Sequence, residues 1–329
     1  MFHISDIRHL HIELSTLCNA RCPKCPRNLN GYPANYGYEE TNLSLETVMK
    51  SFSKDFIMQL GHILLNGNFG DFTANTEAYE ILKYFRDCNP RLFIEISTNG
   101  SARNAKFWQD IGTLKATSKF CLDGLEDTHH LYRQDTEWAK ILANAKSFMS
   151  TGGIAIWKMV KFDHNLHQIE ACQTLAKELG FSDFELVDHG RDNGPVFDRK
   201  GNLTHKLGHW PEETSIKSLI AAQETPRPLP VYDGKTTVDC RVKKRKSIYI
   251  SGDGKVYPCC YLGFSPETYK GRYFTNINKQ IIPLIEQNSL HEYDLETCIE
   301  WFNKVEQSWT IDGYDNGRLY QCDSVCGKS

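Results

Sequence analysis

The sequence predicts a parallel α/β fold followed by a smaller C-terminal unit. Three observations lead there. Strand-like and helix-like stretches alternate six times over residues 1–190, a pattern that calls for parallel strands joined by right-handed crossovers. Five prolines among polar residues interrupt the alternation between 191 and 237, as a connector does. A short hairpin pattern and helix-like stretches then fill 238–329. A parallel sheet of this kind is either open or barrel-like, and pattern alone does not separate the two.

Each element has its own signal. His9–Leu14 alternates apolar and polar residues, as a strand does. Leu45, Val48, Phe52, Phe56 and Leu60 form an apolar stripe at helical spacing, with Ser44 placed as its N-cap. A short apolar run over His62–Asn66 precedes a helix-like Glu77–Cys88. Leu92–Ser97 reads as a strand, Asn104–Gly112 as a helix and Lys119–Asp123 as a strand. Thr136–Ser150 carries an apolar stripe stopped by Gly152 and Gly153. Ile154–Val160, a helix over Leu166–Leu179 and a strand over Phe184–Asp188 complete the series. The connector holds one helix near Glu213–Gln223. Beyond it, Ser247–Ile250 and Lys255–Tyr257 flank the turn Ser251-Gly252-Asp253-Gly254, and helices follow near Gln280–Gln287 and Leu295–Ser308.

Composition excludes several function classes. The net charge of −3 gives no bulk positive field for nucleic acid or an acidic membrane. The chain has no run of 18 apolar residues, which argues against a spanning helix. A mixed N-terminus without a long apolar stretch makes a cytoplasmic protein the default reading. Twelve cysteines are many for such a chain, and in a reducing compartment clustered thiols bind metal or do chemistry. The basic run Arg241-Val242-Lys243-Lys244-Arg245-Lys246 reads as a solvated strand edge.

Cys18, Cys22 and Cys25 form C-x3-C-x2-C, four residues after the first strand. Three thiolates so close can wrap one metal centre. Structural zinc wants four protein ligands and would need a distant fourth. A [4Fe–4S] cluster on three cysteines leaves one iron open to a chelating ligand. This motif in this place resembles the radical S-adenosylmethionine (SAM) superfamily. The resemblance implies a partial (β/α)6 TIM-like barrel over residues 1–190. It also implies a [4Fe–4S] cluster on the three cysteines, with the methionine moiety of SAM on the fourth iron. Lys24 stands where the family usually has an aromatic residue.

Function gathers at the carboxyl ends of parallel strands. Gly67, Asn68, Gly70 and Asp71 follow the second strand and resemble the family's glycine-rich motif, which implies contacts to SAM. Ser97, Thr98, Asn99 and Gly100 follow the third strand, where side chains can bond ribose hydroxyls. The Asn-Gly pair also suits a hairpin turn, although a helix-like stretch follows it. Asp123 opens the stretch after the fourth strand, with His129, His130, Tyr132 and Arg133 beyond it. His164 and Asn165 follow the fifth strand, and Asp188, His189 and Arg191 the sixth. All are candidate adenine or substrate contacts.

The late cysteines form a second group. Cys240, then Gly254-x4-Cys259, then Cys322 and Cys326 resemble the twitch domain, the shortened form of the SPASM domain. The resemblance implies a small α+β iron–sulfur domain over 238–329 with a second, fully ligated [4Fe–4S] cluster. Cys260 is an alternative to Cys259. Zinc on four cysteines is the competing metal. Cys88, Cys121, Cys172 and Cys298 read as small core hydrophobes. The implied reaction is reductive cleavage of SAM to a 5′-deoxyadenosyl radical that abstracts hydrogen from substrate. A flavodoxin- or ferredoxin-like donor would supply the electron. The substrate is a peptide or protein, or alternatively a small molecule such as an amino sugar that is dehydrogenated. A metal-binding protein without catalysis is the reading from another class.

Overall fold

The computed structural model describes residues 3–34, 36–188, 194–208, 214–224, 228–264, 266–269 and 275–328. Six parallel strands are built: β1 (His9–Ile12), β2 (His62–Leu65), β3 (Phe93–Thr98), β4 (Thr117–Cys121), β5 (Ile154–Val160) and β6 (Asp183–Val187). Helices α1 (Leu45–Ser51), α2 (Lys54–Gln59), α3 (Ala78–Cys88), α4 (Ala105–Thr113), α5 (Glu126–Tyr132), α6 (Trp138–Met149) and α7 (Ile169–Glu178) connect them. The sheet takes on two more strands, β7 (Ser247–Ile250) and β8 (Val256–Tyr257). Its order is β8-β7-β1-β2-β3-β4-β5-β6, so β6 and β8 are edges and the barrel is partial, as expected.

The hairpin after the connector does not stand apart from this sheet. β7 runs parallel to β1, pairing His9 with Ser247 through Ile12 with Ile250, and only β8 is antiparallel. Pairing with β1 gives the apolar triplet Ile248, Tyr249 and Ile250 complete burial, which the hairpin alone could not supply. Two long helical stripes also divide. The 45–60 stripe breaks at Phe52, which is extended; Ser53 then caps α2 by accepting from the Phe56 N–H. The 295–308 stripe splits into α11 (Leu295–Ile299) and α12 (Phe302–Ser308), after α8 (Ile216–Glu224), α9 (Arg241–Arg245) and α10 (Thr275–Ile281). A final helix, α13 (Tyr320–Cys326), carries the last two cysteines. The start of the helix expected at Glu213 and the candidates His189 and Arg191 lie outside the described residues.

Alternation along the strands sorts the two faces of the sheet. Leu10, Ile12, Ile63, Leu65, Ile94, Ile96, Phe120 and Trp157 are buried in the core with Ile81 and Phe85 of α3, Trp108 of α4 and Phe148 of α6. The other face carries a row of polar residues, among them His62, Glu95, Lys119 and Glu185. His62 pairs with Glu95 at 3.2 Å, and Lys119 bridges Glu95 and Glu185 at 2.8 Å each. These partners, His62 first, hold the Glu95 carboxyl down to about 2. Cys88, Cys172 and Cys298 pack within the main core as small hydrophobes, and buried Cys121 meets the Ser97 hydroxyl at 3.8 Å.

Candidate functional site

The first cysteine loop leaves the carboxyl end of β1, and the loops after β2, β3 and β4 fold around it. Its neighbour is the Gly67–Asp71 loop, drawn in by a buried carboxylate. Glu13, just beyond β1, accepts from the Phe69 N–H at 2.8 Å, the Gly70 N–H at 2.7 Å and the Tyr249 hydroxyl at 2.6 Å. Burial pushes its carboxyl up, and those three donors oppose the shift. Glycine is needed here for close approach: a Cβ on Gly70 would fall on the Ser15 carbonyl and 2.7 Å from the Leu17 carbonyl oxygen. Asn68 turns away and donates to the carbonyls of Cys260 and Gly263, at 2.9 and 3.1 Å.

Asp71 joins this loop to the next strand end. Its carboxylate accepts from Thr73, from the Thr98 hydroxyl at 2.9–3.0 Å, and from both the backbone and the side chain of Asn99 at 2.8 and 3.0 Å. Asn99 then reaches the Cys18 sulfur at 3.5 Å. On the other side, fully buried Asp123 accepts from the Val160 N–H at 2.7 Å and from the Arg133 guanidinium at 2.6 Å. Arg133 donates onward to the Cys22 sulfur at 3.7 Å. Burial works against the guanidinium charge, and Asp123 more than restores it. Asn165 is spent on backbone, bonding Asp123 O, Val160 O and the Phe162 N–H. Asp71, Asp123 and Asn165 thus have their polar atoms occupied within the chain, and the two aspartates position Asn99 and Arg133 against two thiols.

The cysteines lie in apolar surroundings. Cys22 is buried with Ala20, Tyr132, Val160, Phe162, Val196 and Leu207, and Cys18 and Cys25 pack on that cluster. Burial raises the Cys18 thiol well above its ordinary value, and nearby Asp71, Cys22 and Cys25 add to the shift. Next to this cluster His164 stacks on Phe162 at 5.4 Å with an 11° interplanar angle. Both its ring nitrogens are buried without a partner among the described residues. Burial lowers it to about 4, so the ring is neutral near pH 7. Lys24 bonds the Asn30 side chain at 3.1 Å. Asp188 is largely exposed and pairs with Lys161.

The late cysteines converge from three elements. Cys240 precedes α9, Cys259 and Cys260 follow β8, and Cys322 and Cys326 belong to α13. All five line a cavity of about 510 Å³ whose far wall includes His9, His11 and His62 of the barrel. Burial pushes Cys322 up to about 12, with Cys240 and Cys326 among the further causes, and Cys259 is raised in turn by burial, Cys260 and Cys322. Cys260 is pushed to about 11 by burial and feels Glu13 on the barrel side. Among the described residues, no group of three or more His, Cys, Asp or Glu side chains is posed to hold a single metal ion. No helix there is long and apolar enough to cross a membrane.

The sequence missed Glu13 and Tyr249. The signal was available, since an acidic residue between Ile12 and Leu14 at a strand end has to find buried partners.

Residues 240–307 match the SPASM family, an iron–sulfur cluster-binding domain. No curated protein sequence matches the chain significantly. Its fold is similar to Streptococcus suis SuiB bound to S-adenosylmethionine, with TM-score 0.53 and 14% identity over 96% of this chain and 77% of SuiB. SuiB bound to its precursor peptide SuiA aligns at 0.52 and 14%, over 96% and 70%. A further SuiB structure is spanned over 63% of its length. The structure of anSMEcpe with AdoMet and Cp18Cys peptide aligns at 0.51 and 13%, over 95% of this chain and 90% of that one. The chain shares the fold of these proteins and carries a SPASM segment, as its cysteine spacing led us to expect.

Proposed function

From a SPASM segment joined to a fold of this kind, we propose that the chain is a radical SAM enzyme acting on a peptide or protein. Residues 1–190 are its radical SAM core, 191–237 a connector and 238–329 a twitch-type unit. The observation that carries this reading is the thiol group of Cys18, Cys22 and Cys25. It sits at a strand end, in apolar surroundings, with N–H donors from Ala20 and Asn99 on one sulfur and Arg133 on another. Three soft thiolates with N–H···S partners suit an iron–sulfur cluster with one open iron. His164, neutral and unpartnered beside them, fits a hydrogen-bonding ligand such as adenine. Bound there, a cluster and SAM would supply radical chemistry that removes hydrogen from substrate.

The chain supplies the rest. Glu13 and Asp71 hold two backbone loops against the thiols, and the donors to sulfur favour the thiolate forms. Tyr132, Val160 and Phe162 keep water from the site. In the second group Cys240, Cys259, Cys322 and Cys326 line one cavity together with Cys260, and those four are the proposed ligands of a second [4Fe–4S] cluster. The fold shared with two proteins whose structures hold bound peptides supports a peptide substrate. A flavodoxin- or ferredoxin-like protein is the proposed electron donor.

Anaerobic reconstitution with iron and sulfide, then dithionite and SAM, tests this reading. Two clusters bind about eight irons, and 5′-deoxyadenosine forms. The triple variant C18A/C22A/C25A keeps about half the iron and makes none. Zinc in place of iron, or no 5′-deoxyadenosine from the wild type, overturns the reading.

A further inference from the structure

We propose that α9 and the residues around it form a docking surface for a small, acidic one-electron carrier protein that takes electrons from the second cysteine group. The inference rests on the proposal that this group holds an iron–sulfur cluster. Five of the six residues in Arg241–Lys246 are cationic in a chain of net charge −3. Two of them are neutralised, Lys243 by Glu306 and Lys244 by Asp239. Arg241 bonds the Val325 carbonyl and keeps its charge. Arg245 and Lys246 are exposed, and neither is paired with a carboxylate among the described residues. Exposed Arg8 joins them, since its backbone N–H bonds the Lys246 carbonyl at 2.9 Å.

This surplus charge lies over one end of the second cysteine group. Cys240 directly precedes the helix, and Arg241 and Arg245 line the same cavity as the five thiols. Cys240 and Cys326 are only half-buried, as are Cys259, Cys260 and Cys322. Exposed Tyr261 and the Trp309 ring at that mouth give an apolar anchor inside the charged rim. Electron tunnelling falls off exponentially with distance, so a carrier seated here has a short path to the group. A compact cationic rim suits the small, salt-sensitive contact of a transient redox pair. The field is local and the chain as a whole is acidic, which favours a compact acidic protein over an RNA strand. The electron account balances simply. One electron leaves the reduced second cluster and reduces the oxidised carrier by one electron, and no bond in either chain forms or breaks.

The probe is an oxidised acidic [2Fe–2S] ferredoxin, titrated by calorimetry into the iron-loaded full chain. Binding is expected at about 20 mM salt and weakens about tenfold at about 200 mM. R245E/K246E weakens it about tenfold and slows ferredoxin reduction by the pre-reduced protein to a similar degree. R8E, across the patch and away from Cys240, shifts affinity in the same direction, which guards against a double variant that fails to hold iron. With dithionite as reductant, R245E/K246E makes 5′-deoxyadenosine at the wild-type rate. No binding at low salt, binding unchanged in both variants, or binding of a 20-nucleotide RNA in place of ferredoxin overturns the docking surface. Salt-sensitive ferredoxin binding to a protein that makes no 5′-deoxyadenosine leaves it standing and overturns the proposed reaction instead.

Discussion

At the residue scale, two buried groups hold the site and each gives a prediction. Glu13 bonds two N–H groups and one hydroxyl, all acceptor contacts that a carboxylate meets and an amide cannot. Glu13→Gln leaves at least one of those donors unmatched and costs about 2–3 kcal/mol. Urea unfolding of the metal-free chain reads this loss, and a change under about 0.5 kcal/mol contradicts it. His129 accepts from the Asp123 N–H at Nδ1, at 3.1 Å, and pairs its Nε2 with the Thr136 hydroxyl at 3.0 Å. Burial lowers its pKa from 6.5 to about 4. Between those values the unfolded chain binds the extra proton and the folded chain does not. Stability is therefore full above about pH 6.5 and drains away as pH falls toward 4. The metal-free wild type should lose about 1–2 kcal/mol between pH 6.5 and 5 from this group. In His129→Gln that part of the slope is absent. Parallel pH curves for the two proteins count against the assignment.

At the element scale, the loop after β2 is the tightest piece of construction. It passes so close to the chain after β1 that Gly70 has no room for a methyl group. Gly70→Ala must push that backbone away from Glu13, losing its N–H bond and shifting Asp71 and Asn99. A destabilisation of about 2–4 kcal/mol is expected, with iron loading of the first group reduced. Unchanged unfolding and unchanged iron content would show that the loop yields cheaply. The split of the 45–60 stripe belongs here as well. The spacing was helical throughout, but Ser53 offers a cap within it, and a short hydroxyl that can bond the Phe56 N–H competes with helix continuation.

At the scale of the whole molecule, the C-terminal part completes the sheet of the N-terminal part. β7 covers the full length of β1, and Tyr249 closes the shell around Glu13. A chain ended at residue 237 bares the β1 edge, loses the three fully buried side chains of β7 with the rest of the C-terminal core, and strands a buried carboxylate. It should aggregate or lack a cooperative thermal transition. A monomer that unfolds cooperatively near the full-length midpoint would mean that the core stands alone.

Local chemistry made much of this protein legible in its sequence. The six strands and most helices follow from periodicity, because alternation and helical spacing are properties of a short stretch. The thiol groups follow from spacing, because a metal centre needs its ligands a few residues apart or in distinctive pairs. Other features needed the tertiary structure. Nothing local says that Ser247–Ile250 pairs with His9–Ile12, since a strand's partner is chosen by the surface it buries. Nothing local completes the hydrogen bonds of Asp71, Asp123 and Asn165, because each also needs a partner 27 to 42 residues away. Polar residues at strand ends announce a site, but whether each faces a ligand or holds its neighbour depends on which donors the fold brings within reach.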